Sequence, residues 1–452
     1  MEERRNEITE GHIPSLIKKI AVPASVGFFF NTMYNIVDAY FSGFAGTEAV
    51  AALSLSFPVF FIIIALGSGV SSGVTALSAH AIGAGNRKEA ERYAVQGISF
   101  SIVLSVVLTG IGFLVASPLF KMLGASGAYL DFANSYISVI FGGTLFFILV
   151  FSLNAILNSV GDSKSFRNFL VTGFFLNFVL NSWFMFGGFG VPAMGLAGIA
   201  LATVLIQLFG VIYLLRKVIH TGLISRDFFK ELIPHAQAYK DIARQGFPAS
   251  ISMMSVSIGF FISTYFVGTF GEGAVAAYGV GTRVQQIALL PLIGLSIAAV
   301  TLVGQNNGAR KAERVKEVVR KIFTYAFWVA VVGTVFLFFL ARPLMTLFTT
   351  DTEVVETGVT FLRIVAFIMW PYALLMMVDS ILRGLKRPMF SLWMGLSRQV
   401  LAPILVFPLF VYTFTLGVNG VWWGLFAITI VSSGFAWLYL YRVMWSCDHC
   451  SP

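Results

Sequence analysis

"AYFSGFAGTEAVAA", residues 39–52, returns as "TYFVGTFGEGAVAA" at residues 264–277, with eight of fourteen positions identical at an offset of 225. Each copy is preceded at the same distance by "PAS", at 23 and at 248. Farther along, "GAGNRKEAER" at 83 pairs with "GARKAER" at 308 across a three-residue gap, and "ILNSVGDSKSF" at 156 pairs with "ILRGLKRPMF" at 381. Self-similarity at one offset over nearly the whole chain marks a duplicated structural unit.

That unit belongs in a bilayer. Of 452 residues, 57% are hydrophobic and 11% charged, whereas a soluble domain is about a quarter charged. A membrane-crossing helix needs ~20 mostly apolar residues. Twelve such runs are legible, at 16–42, 49–77, 93–116, 132–157, 166–187, 191–215, 246–270, 274–303, 322–341, 357–382, 390–412 and 419–441. Glycine, proline or charge clusters fill most of the breaks. The opening "MEERRNEITEGHIPSLIKKI" is polar and of mixed charge. It lacks the features of a cleavable leader, so the first span is expected to act as the insertion signal.

The net charge of +9 is explained by where the cations lie. Twenty-five of the thirty Lys and Arg fall on the side of the N-terminus, in loops such as "GNRKEAER", "GDSKSFR" and "GARKAERVKEVVRK". Lys121 and Arg342 fall opposite, and Arg283, Arg363 and Arg398 lie within spans. This asymmetry fits an even number of spans in a cell inner (plasma) membrane with both termini cytoplasmic. The basic loops are expected to meet anionic lipid heads, so nucleic acid is not needed as a partner.

Six spans per half is an even number, so both halves share one orientation. The expected fold is an all-α integral membrane protein with twelve transmembrane helices in two pseudo-symmetric six-helix bundles, a parallel repeat. The expected boundaries are 1–216 for the first bundle, 217–245 for a polar cytoplasmic linker, 246–442 for the second bundle and 443–452 for a tail. Parallel repeats recur in secondary transporters, whose bundles rock around a site near mid-membrane.

Candidate functional residues are the polar ones inside spans, which are expensive there and usually face a cavity or the bundle interior. Asn31, Asn35, Asp38 and Ser42 follow helical spacing in the first span, with Tyr34 among them. "NFVLN" in the fifth span puts Asn177 and Asn181 four residues apart, the sixth span offers Thr203, and the fourth offers Asn154 and Asn158. The repeat supplies a control. At an offset of 225, Asp38, Asn177, Asn181 and Thr203 become Ser263, Ala402, Val406 and Ile428. Packing common to both halves would keep the polar set in both, so its restriction to one half points to a dedicated site. Asparagine stripes also glue helices together. A carboxylate is different, since it costs ~2.5–3.5 kcal/mol at a helix centre on insertion scales. Asp38 can exchange a proton, or it can join the oxygens of Asn177, Asn181 and Thr203 around a hard cation such as sodium. The residues alone leave both open. Arg283, toward the outer part of the eighth span, is a further cavity-lining candidate beside Asn31, Asn35, Tyr34, Asn154 and Asn158.

Other chemistries find little support. The histidines, His12, His80, His220, His235 and His449, are neither deep in spans nor paired at metal spacing. No nucleophile motif or phosphate loop is evident, so neither an enzyme nor an ATP-driven pump is expected, and no cofactor. Cys447 and Cys450 in "CDHCSP" form one CxxC, short of the two pairs that usually close a zinc site.

"ITEGHIPSLIKKIAVPAS", "YNIVDAYFSG" followed by "AVAALSLSFPV", "VGQNNGA" at 303 and the two "GA" loops resemble the multidrug and toxic compound extrusion (MATE) transporters from about residue 8 to 442. The likeness is greatest to the prokaryotic branch related to DNA-damage-inducible protein F. It implies a V-shaped pair of six-helix bundles and export of amphipathic, often cationic small molecules driven by protons or sodium. The family's first-helix aspartate falls on Asp38, its fifth-helix N-x-x-x-D on Asn177 and Asn181, and its sixth-helix threonine on Thr203. Here the second aspartate is Asn181, which weakens a sodium site relative to a proton site. A monomer is expected, and the alternative reading is a flippase for a lipid-linked or amphipathic lipid substrate.

Overall fold

Apolar runs of this length can satisfy their backbone groups in a membrane only by closing them within a helix. The structure, a computed structural model, describes residues 7–224 and 231–445 and follows that rule throughout. The cysteines of the tail and the expected tail boundary lie outside the described residues. Among the described residues, eleven helices are long and apolar enough to cross a membrane, and one bent pair makes a twelfth. In order the spans are Ile13–Phe44, Thr47–Gly83, Arg87–Met122, the pair Gly127–Gly142 and Thr144–Ser159, Ser163–Phe186, Gly195–Ile219, Ala236–Gly268, Glu272–Gly308, Ala312–Phe339, Thr352–Gly384, Met389–Thr413 and Val418–Trp445. The class expected from the sequence, all-α with twelve spans, is the class observed.

Polar loop residues start these helices. The Asn86 side chain accepts from the Glu89 backbone N–H at 3.2 Å, Asp162 from that of Ser165 at 3.1 Å, and Asp351 from that of Glu353 at 2.9 Å. Each satisfies a backbone donor that the first turn leaves unpaired. The polar clusters that broke the sequence into spans are therefore also the caps that begin the next one.

The repeat survives in three dimensions. The second and eighth spans are both 37 residues long. Each follows a glycine in the left-handed region, Gly46 at φ +96° and Gly271 at φ +103°. Such a backbone is cheap only without a Cβ. At two turns on the basic side the first half uses glycine, Gly85 and Gly161, where the second uses Arg310 and Lys386 with φ of +56° and +59°.

Contacts divide the chain into two units, one of residues 1–9 and 26–250, the other of 10–25 and 251–452. Two of the three divisions, after Ser25 and after Ser250, fall directly after "PAS", again 225 residues apart. Inside the first unit, a methyl added to Gly69 would stand 2.7 Å from the Gly246 carbonyl oxygen. Inside the second, the corresponding Gly294 meets the Ala21 backbone and the Ser25 side chain. Backbones touch at these crossings, as small residues allow in membrane helix packing.

Several boundaries differ from those read in the sequence. The fourth span, expected as one run over 132–157, bends by 48° between Gly142 and Thr144. Gly143 packs there against the Val204 side chain, and the double glycine lets the helix break. The sixth span starts at Gly195 rather than 191, because residues 187–191 form a tight turn closed by a Gly188–Val191 bridge. The eleventh span, expected as a plain helix over 390–412, contains two π-turns, Ser397–Leu401 and Leu409–Thr413. The stretch expected as linker over 217–245 is helical at both ends: the sixth span runs to Ile219 and the seventh begins at Ala236. Side chains of the third span hold that helix start. Gln96 Nε2 donates to the carbonyls of Glu231 and Ile233 at 2.6 and 2.9 Å, while its Oε1 accepts from the His235 N–H at 2.8 Å.

In the first unit two apolar clusters stack along the span direction. One contains Val74, Leu77, Ala94, Ile156 and Leu214, and the other Phe120, Ile137, Ile140, Ile199 and Ala200. The second unit centres on Trp422, whose ring lies 4.7 Å from that of Phe361 and 5.5 Å from that of Tyr278.

Candidate cation-coupling site

The two clusters of the first unit meet at a polar layer. On the first span, Tyr34 packs against one cluster while Val37 and Phe41 belong with the other. On the sixth span Ile206 belongs to the first and Val204 to the second. Asp38 and Thr203 lie at the change, and Asn177 and Asn181 reach it from the fifth span.

Asp38 Oδ1 accepts from Asn177 Nδ2 at 2.8 Å and from Asn181 Nδ2 at 2.7 Å. Among the described residues, Asp38 Oδ2 has one hydrogen-bond contact, accepting from the Thr203 hydroxyl at 3.5 Å. Both asparagines are fully buried and Thr203 is 5% exposed. No arginine or lysine pairs with Asp38 among the described residues. The two carboxylate oxygens are thus unequal. Oδ1 is saturated by two amides, while Oδ2 has one long contact and is the side where a proton or small cation can add without displacing a donor.

Unspent oxygens surround the carboxylate. The side-chain carbonyls of Asn177 and Asn181 and the hydroxyl of Tyr34 are buried and make no hydrogen bond of good geometry among the described residues. The Tyr34 hydroxyl nevertheless faces Thr203 and Asn177. Buried polar atoms are rarely left unmatched, and a cluster of them needs a reason. Together they offer the oxygen-rich, net-negative setting that hard cations take.

Of the residues singled out in the sequence, the fold brings Tyr34, Asp38, Asn177, Asn181 and Thr203 together. It does not gather the others with them. The Asn35 amide donates along its own helix to the Asn31 carbonyl at 3.0 Å. Asn154 and Asn158 are 6% and 5% exposed, inside the apolar cluster toward the basic loops, where Asn158 accepts from Ser163 at 3.4 Å. Arg283 is exposed, on the eighth span in the second unit.

One residue escaped the sequence reading. Tyr136, 5% exposed in the first half of the bent fourth span, interacts electrostatically with both Asp38 and Tyr34. A lone tyrosine among apolar residues carries no spacing signal.

The second unit shows what the same crossing looks like without the site. Tyr34 corresponds to Gly259, where an added methyl would meet the Gln399 backbone oxygen at 2.9 Å. Gln399 lies in the first π-turn of the eleventh span. The partner helix therefore closes down on the backbone where the first unit keeps a tyrosine and a carboxylate.

Comparison with known proteins matches the MatE family profile to residues 23–183 and 248–408, one match per repeat and 225 residues apart. The chain is 29% identical over 457 residues to a probable multidrug resistance protein NorM of Thermotoga maritima, covering 98% of this chain and 96% of the relative. It is 27% identical over 403 residues to a FAD transporter of Shewanella oneidensis, covering 88% of each. A crystal structure of a MATE in complex with MaL6 superposes with a TM-score of 0.91 at 26% identity, covering 97% of this chain and 98% of that one.

Proposed function

Because the chain belongs to the MATE family of membrane transporters, we propose that it is a secondary antiporter exporting amphipathic organic molecules in exchange for protons, or sodium, bound at Asp38. The reading places it in the plasma membrane as a monomer with both termini on the side of the basic loops. Export of drug-like compounds is supported by the name of the NorM relative.

The observation that carries the coupling site is the unequal carboxylate. An ionised Asp38 is held by two amides on Oδ1 and leaves Oδ2 nearly bare. Loading Oδ2 removes the charge that the amides stabilise, so occupancy by the ion and the arrangement of the first, fifth and sixth spans are linked. A ligand drives a two-state change only through such differential contacts. Two carboxylates hold a sodium ion better than one, so the single carboxylate of this cluster favours protons over sodium.

The test is dye efflux in inverted vesicles with imposed proton and sodium gradients applied separately, comparing the native chain with Asp38→Asn. The substitution keeps the shape and removes the exchangeable charge, so gradient-driven transport should fall to background while the protein remains folded. Full coupled transport by that variant would remove Asp38 from the coupling role.

A second reading concerns the charge of the cargo. The FAD transporter relative and the span arginines of the second unit favour an anionic amphipath. Arg363 lies over Phe338 at 5.6 Å and Arg398 over Tyr372 at 5.1 Å, and neither has a carboxylate partner among the described residues. A panel holding cationic and anionic dyes of similar size separates the two.

A further inference from the structure

A groove in the first unit lies away from the Asp38 cluster, between the first, fifth and sixth spans. It encloses about 590 Å³ and is lined by Val26 and Val171, by Phe169 and Phe209, and by the polar set Arg167, Asn168, Thr172 and Tyr213. On the fifth span its residues 168 and 172 are exposed, whereas Asn177 and Asn181 face inward. The groove therefore opens on the opposite side of that helix from the coupling site.

Its polar end is basic. The Arg167 guanidinium donates to the Asn168 side-chain oxygen at 3.1 and 2.7 Å and has no carboxylate partner among the described residues. Lys217 Nζ stands 5.7 Å from the Tyr213 ring centre, which brings a second cation to the same rim. No carboxylate lines the groove. Asp162, the acid nearest along the fifth span, is occupied in capping Ser165 at 3.1 Å and bonding its hydroxyl at 2.8 Å. These cations sit at the start of the fifth span and the end of the sixth, on the side of the basic loops.

The remainder is apolar and faces outward. Close contact shuts the inner side: a methyl added to Gly27 would meet the Arg167 Cα and Leu170 Cδ1, each at 3.2 Å. Around the opening, Val26, Phe29, Phe175 and Ile212 are 39%, 42%, 60% and 47% exposed. Apolar side chains so exposed on a membrane-spanning unit meet acyl chains.

A basic rim at one membrane surface above an apolar trough matches a phospholipid rather than a soluble anion. Basic pockets between spans on the cytoplasmic side recognise anionic head groups. We infer that this groove binds one anionic phospholipid of the leaflet facing the basic loops. Its phosphate lies on Arg167 and Lys217, supported by Asn168 and the Tyr213 hydroxyl. Its acyl chain lies along Val26, Phe169 and Phe209. Because Val26 belongs to the helix that carries Asp38, an occupied groove braces the first span against the fifth.

Native mass spectrometry of the purified full chain, titrated with phosphatidylglycerol or phosphatidylcholine of identical acyl chains, tests the assignment. The native chain should retain one phosphatidylglycerol in preference to phosphatidylcholine. Removing both cations in R167Q/K217Q should weaken that lipid by roughly thirtyfold, from about one surface-charge contact per residue, and abolish the preference. T172W, which fills the trough at an exposed position and keeps both cations, should lose both lipids. K121Q, on the opposite side, should behave as the native chain. Equal binding of the two lipids by the native chain, or an unaltered preference in R167Q/K217Q, would overturn the proposal. So would displacement of the bound lipid by inorganic phosphate alone, which would make the rim a site for the free anion.

Discussion

Substituting Asn181→Asp asks the coupling site to reveal which ion it holds. In the native chain the Asn181 amide nitrogen stands 2.7 Å from Asp38 Oδ1. A carboxylate in its place removes a donor and sets a second unit charge about 4 Å from the first. At an effective dielectric constant of about 20 the repulsion is ~4 kcal/mol. A sodium ion between the two carboxylates cancels that repulsion, and the unspent oxygens of Asn177 and Tyr34 stand ready to complete its shell. If the whole term were recovered, sodium binding would tighten by about three orders of magnitude. Relaxation of the helices reduces this, and a gain of at least roughly tenfold is expected. The assay is sodium-dependent thermal stabilisation of the purified chain, paired with efflux from inverted vesicles under a sodium gradient at clamped pH. The variant should acquire a sodium response that the native chain lacks or shows weakly. An Asn181→Asp protein that melts like the native chain without sodium, yet shows an unchanged sodium response, would refute the shared site.

The remaining predictions concern the scaffold. Gly69→Leu forces a side chain into the backbone crossing with Gly246; overpacking of this kind costs about 1–3 kcal/mol, seen as a lowered melting temperature and poor recovery. Gly110, with nothing within 4 Å of an added methyl, is the control, and Gly110→Ala should gain up to about 1 kcal/mol from helix propensity. Gln96→Ala removes three hydrogen bonds to residues 231–235, and hydrogen exchange there should accelerate by about tenfold or more at about 1 kcal/mol per bond, with exchange in the sixth span unchanged.

Residue order alone determined that the chain lies in a bilayer and the number of its spans, through hydropathy, and their duplication at an offset of 225, through matched residues, because each of these is a one-dimensional property. It also marked Asp38, Asn177, Asn181 and Thr203, since a polar residue is conspicuous where apolar ones are required, and the repeat exposed its loss from the second half. Three things needed the tertiary structure. The bend at Gly143 brings that backbone against the Val204 side chain, a contact between spans that residue order does not specify. The separation of Asn154 and Asn158 from the site depends on which helices pack around the fourth span, and helical spacing fixes a face without naming its neighbour. The division after Ser25 and Ser250 cuts through continuous helices. No composition change marks it, because a helix keeps its local hydrogen bonds whichever unit it packs against.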